Sequence, residues 1–87
     1  MSILILSMNF HIFCYNFFMR YFAIRLKELR KEKNLTQKQL AQAIEVTQGM
    51  ITRWEKDECE PTATVIVKIA DYFNVCTEYL LGRKNWY

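Results

Sequence analysis

Gln48, Thr52 and Arg53 stand within one short stretch, QGMITRWEK, and each ends in a group that makes directional hydrogen bonds. An amide such as Gln48 can pair in two places with an adenine edge, and a guanidinium such as Arg53 with a guanine edge. A threonine hydroxyl serves either base, and its methyl can touch a thymine. Reactive chemistry is absent by comparison. The chain has one histidine, no Ser/His/Asp set, and only two glycines, so no glycine-rich phosphate loop. His11 and Cys14 are three apart, but two ligands without a second pair make a poor zinc site. The expectation is recognition without an enzyme activity, a metal or a cofactor.

Charge points the same way. From Arg20 to Lys56 there are nine Lys/Arg against four Glu; from Asp57 to Tyr87 there are three against five Asp/Glu. A basic first half suits a polyanion, either nucleic acid or an anionic membrane. The three cysteines, Cys14, Cys59 and Cys76, are odd in number and lack CxxC spacing. That favours reduced thiols and a cytoplasmic setting over a disulfide scaffold.

The elements that must position these residues read as helices. The length, 87 residues, allows one domain. With two Gly and one Pro there is little turn chemistry for a β fold. Ile24, Leu26 and Leu29 form an apolar stripe on a charged first helix, which Asn34 can stop in the left-handed conformation. Thr36 and Gln39 have capping-box spacing and open a helix over 37–44. Glu45-Val46-Thr47 leaves room only for a tight turn, and Thr47 caps a helix from Gln48 to about Lys56. Pro61 and Thr62 begin a fourth helix with Val65, Ile66, Ile69, Ala70 and Phe73 on one face. Asn74 ends it, and a short last helix starts at Cys76 or Thr77 and stops at Gly82.

Two short helices joined by three residues pack only if their crossing point is small, and Ala41 supplies it. Leu40, Ile44, Val46, Ile51 and Trp54 surround that point. The segment LTQKQLAQAIEVTQGMITRWEK, followed by Pro61 and KIADYFNVCTEYLLG, closely resembles the phage-repressor and Cro-like helix-turn-helix family, often called the XRE family. The resemblance covers roughly residues 23 to 82. It implies an all-α, five-helix, lambda-repressor-like domain that binds double-stranded DNA as a transcriptional regulator, commonly a homodimer on a palindromic operator. One departure is Glu45, where the family usually has a glycine with positive φ. A residue with a Cβ costs about 1 kcal/mol there. Asp57 replaces another frequent glycine.

Placed on that pattern, Ile51, Trp54 and Glu55 face inward by i, i+3, i+4 spacing. Gln48, Gly49, Met50, Thr52 and Arg53 lie outward or on the flanks, and the resemblance puts this face in the major groove. Gly49 permits close approach and Met50 offers apolar contact. The resemblance also implies that Gln37 and Gln42 hold the sugar-phosphate backbone; the charges of Lys38 and Lys56 make them further phosphate contacts. It pairs Arg30 with Glu55 as a partly buried ion pair.

Three readings fit residues 1–22, which carry no charge before Arg20. The first is an upstream translation start or dispensable extension, with the domain occupying 23–82 and a short tail 83–87. The second is an added packing or dimer element. The third, ranked last, is a membrane anchor formed by residues 1–19. A competing function is an antitoxin-like or membrane-tethered module whose main partner is protein. Tyr72, Tyr79, Trp86 and Tyr87, or the apolar N-terminal stretch, would carry it.

Overall fold

The computed structural model of the chain describes residues 20–85, and these form five helices and no strand. In chain order they are α1 (20–32), α2 (Gln37–Ala43), α3 (Gln48–Glu55), α4 (Ala63–Phe73) and α5 (Thr77–Leu80). Each of the last four begins at a side chain that accepts a hydrogen bond from the first turn. Thr36 does so for Gln39 N, Thr47 for Met50 N, Thr62 for Val65 N, and the Cys76 sulfur for Tyr79 N. Such caps satisfy donors that a helix start leaves open. At α2 the box closes in both directions: Gln39 N donates to Thr36 Oγ1 (3.0 Å) and Thr36 N donates to Gln39 Oε1 (2.8 Å).

The stops are equally local. Asn34, Glu45, Asp57 and Asn74 all adopt positive φ, between 56° and 61°. Three of the four are Asn or Asp, which tolerate that region; Glu45 (φ 61°) occupies the turn position where the resembled family usually has a glycine. After α5 the chain turns at Gly82 (φ 87°), and a Cβ there would lie 2.5 Å from Tyr21 Cβ.

The core gathers Phe22, Leu26, Leu29, Leu40, Ala41, Ile44, Ile51, Trp54, Ile69, Ala70, Phe73 and Leu80. Ala41, the small residue expected where α2 and α3 cross, is buried in this core. Phe22 meets Trp54 edge to face, with ring centroids 6.4 Å apart.

The first helix departs from its expected reading in three ways. It already runs at residue 20, and Phe22 is 1% exposed, so the core extends across the boundary placed between residues 22 and 23. Ile24, assigned to the apolar stripe, is exposed, while Arg25 is buried. The inward face is Phe22, Arg25, Leu26 and Leu29, a helical spacing shifted from the one based on Ile24.

Burial of Arg25 has a partner-based cause. Its Nη1 donates to Tyr79 O and to Lys84 O (2.5 Å), and its guanidinium lies over the Tyr79 ring at 4.1 Å and the Tyr21 ring at 5.1 Å. The cation thereby caps carbonyls at the end of α5 and ties the start of the 83–87 tail to α1. Among the described residues no helix is long and apolar enough to cross a membrane; residues 1–19, including His11 and Cys14, lie outside them.

Candidate nucleic-acid interface

α3 divides its residues between two environments. Ile51 (0% exposed) and Trp54 (2%) sit in the core, and the Glu55 side chain is nearly buried (4%). Gln48, Gly49 and Arg53 are exposed, and Met50 and Thr52 are half-buried on the flanks. On α2, Lys38 and Gln42 are exposed and Gln37 is half-buried; Lys56, the C-cap of α3, is exposed. The inward and outward assignments made for α3 therefore match their positions. What each outward residue does with a ligand is taken up under the proposed function.

Gly49 has a special place in this face. A Cβ built there meets only Thr47 Oγ1 among the described residues, at 3.9 Å, so none of them forbids a side chain. A glycine within a helix nevertheless lowers stability relative to alanine.

Beneath the outer face lies a chain of hydrogen bonds that ties α1, α2 and α3 together. Arg30 Nε donates to Glu55 Oε2 (2.6 Å) and Arg30 Nη2 donates to Glu55 Oε1 (3.0 Å). Arg30 Nη1 reaches Leu35 O (2.8 Å) across the end of α1. Gln37 Nε2 donates to Glu55 Oε1 (3.0 Å), and Thr52 Oγ1 donates to Gln37 Oε1 (2.7 Å). The side chains of Arg30 and Glu55 are 11% and 4% exposed. The hydrogen bonds to Glu55 hold the Arg30 guanidinium above its ordinary pKa, against the lowering effect of burial. The fork geometry is the kind that offsets the desolvation of a buried pair.

The Arg30–Glu55 pair thus sits where the resemblance implied. The sequence did not disclose that Gln37 and Thr52 extend it. Thr52 faces outward by periodicity, yet its hydroxyl is engaged with α2. Only the crossing of α2 over α3 brings residues 15 apart in sequence into contact, so no local signal marks it.

Other candidates look different in three dimensions. Tyr79, assigned to an exposed protein-binding surface, is half-buried against Arg25, and Tyr72 is 36% exposed; Trp86 and Tyr87 lie outside the described residues. Cys59 is a half-buried free thiol, and Cys76 caps α5. Among the described residues no cluster of three or more His, Cys, Asp or Glu could hold a metal ion.

A capped helix, a tight turn, a second capped helix with an exposed polar outer face, and a buried ion pair behind them define a helix-turn-helix domain. The helix-turn-helix family model matches residues 26–80, and the chain belongs to that family. It is 34% identical over 59 residues to the HTH-type transcriptional regulator ImmR of Bacillus subtilis (strain 168), a match covering 68% of this chain and 46% of that protein. It is 37% identical over 61 residues to the HTH-type transcriptional activator BcrR of Enterococcus faecalis, covering 70% of this chain and 30% of that one. Among solved structures it is similar to an HTH_3 family transcriptional regulator from Vibrio cholerae, with a TM-score of 0.69 and 28% identity over 79% of this chain and 39% of the other. The chain spans about half or less of the length of these relatives.

Proposed function

We propose that this chain is a transcriptional regulator that binds double-stranded DNA sequence-specifically, with α3 in the major groove. The observation that carries this reading is the outer face of α3. It is polar and exposed at Gln48 and Arg53, and it contains a glycine where the described residues leave room for a side chain. Gly49 admits the duplex close to the helix backbone. Gln48 reads adenine N6/N7, Arg53 reads guanine O6/N7, and Met50 makes apolar contact at the groove wall. Family membership and the printed names of the relatives support the regulatory role.

Register on the duplex falls to the phosphate contacts. Gln37 is the first residue of α2, where open backbone N–H groups and the helix dipole favour an anion. Gln42, Lys38 and Lys56 add donors and charge along the backbone. A second copy of the chain on a palindromic operator gives two half-sites about one helical turn apart, roughly 34–36 Å. The setting is the cytoplasm, where the operator is, and the free Cys59 thiol suits its reducing conditions.

Titrating the protein into labelled duplex DNA at several salt concentrations tests the reading. Binding that weakens linearly in log–log form with salt is expected. Absence of any salt-dependent binding would sink it.

A further inference from the structure

We propose that Thr52 is a positioning residue for the phosphate contact rather than a reader of bases. Its hydroxyl orients the Gln37 amide, and Gln37 meets the DNA backbone. The inference rests on the DNA-binding reading above and assigns Thr52 a different part in it.

The case begins at Glu55. An ionised carboxylate only accepts hydrogen bonds. Its two oxygens take Arg30 Nε, Arg30 Nη2 and Gln37 Nε2, so the amide nitrogen of Gln37 must point inward at Glu55. Turning the amide over would set a carbonyl oxygen against a buried carboxylate oxygen. With the nitrogen fixed, the carbonyl of Gln37 faces Thr52, and Thr52 has to be the donor (2.7 Å).

A hydroxyl has a single proton. The Thr52 hydroxyl also lies 3.1 Å from Gln48 O, one turn back in α3, and the shorter contact with Gln37 takes the proton. It therefore has no proton to donate to a base acceptor such as guanine N7 or O6, and can only accept from a base or touch it with its methyl. Gln37 is left with one amide N–H and one carbonyl lone pair uncommitted. Held by Glu55 on one side and Thr52 on the other, that N–H is aimed before DNA arrives, so less side-chain freedom is lost on contact with a phosphate oxygen. The recognition helix and the backbone clamp are thereby coupled through one hydrogen bond.

The test uses Thr52→Val, which keeps the β-branched shape and removes the proton, and Thr52→Ser, which keeps the hydroxyl. The DNA probe is the duplex enriched by the wild-type chain from a random pool, together with its single-base variants. Thr52→Val should weaken binding about twofold to tenfold, the factor that loss of one neutral hydrogen bond carries. The loss should be equal for every base variant, Thr52→Ser should restore most of it, and Thr52→Val should add nothing in a Gln37→Ala background. A change of base preference at one position, or the same loss in the Gln37→Ala background, overturns the proposal. A second readout needs no DNA. The Gln37 side-chain amide resonances of the free protein should move in Thr52→Val and return in Thr52→Ser. If they stay in place, the proposal fails even where DNA binding itself holds.

Discussion

Gly49→Ala should make the protein more stable and its DNA complex weaker. Among the described residues the added methyl meets only Thr47 Oγ1, at van der Waals distance, so the helix accepts it without strain. Replacing a helical glycine by alanine contributes about 0.5–1 kcal/mol. For a domain this size each kcal/mol moves Tm by roughly 4–8 °C, so a rise of about 2–8 °C is expected. On the duplex the same methyl enters space that the proposed complex fills. Overfilling a packed contact costs about 1–3 kcal/mol, which is about a 5- to 150-fold loss of affinity. Thermal unfolding by circular dichroism and fluorescence anisotropy with the selected duplex give the two numbers. Gly82→Ala is the internal contrast. There φ is 87° and the new Cβ would press on Tyr21, so a loss of about 2–5 kcal/mol is expected. If Gly49→Ala raised Tm and left affinity unchanged, the duplex would not approach α3 at Gly49. If it lowered Tm, the reasoning about free space would itself be wrong.

Other perturbations separate the remaining parts. Glu45→Gly relieves a left-handed residue that has a Cβ and should stabilise by about 0.5–1 kcal/mol; a lower Tm would contradict the strain assigned to that turn. Glu55→Ala strands the Arg30 charge and releases Gln37, so urea unfolding should show a loss of about 3–5 kcal/mol, and a loss below about 1 kcal/mol would mean the pair is not structural. Lys38→Ala and Lys56→Ala should each reduce the slope of log affinity against log salt by about 0.9, with base preference unchanged; an unaltered slope removes that residue from the backbone contacts.

Much of the fold was legible because its start and stop signals are local. Thr36 with Gln39, Thr47 and Thr62 cap as their spacing implies, and Asn34 and Asn74 end helices by adopting the left-handed conformation. The turn at Glu45 was legible for the same reason: three residues between two caps leave the chain no other path. The N-terminal side of the first helix is not legible in the sequence. Phe22 lies just past a long uncharged run, so the change of composition hides a core position, and Ile24 carries an apolar side chain on the solvent side of the helix. Arg25 could not be read as buried from its neighbours, because its acceptors, Tyr79 O and Lys84 O, lie more than fifty residues away. In the candidate interface the residue types and outward faces of α3 were legible from periodicity. The tie from Thr52 to Gln37 was not, since it depends on how two helices cross.

The claim that α3 reads bases is tested most directly by selecting bound duplexes from random DNA with the wild-type chain and with Arg53→Ala. The wild type should enrich a defined site containing a guanine that Arg53→Ala no longer demands, while preferences elsewhere in the site persist. Enrichment of the same site with the same stringency by both proteins would contradict the assignment of Arg53 and of the α3 face to base recognition.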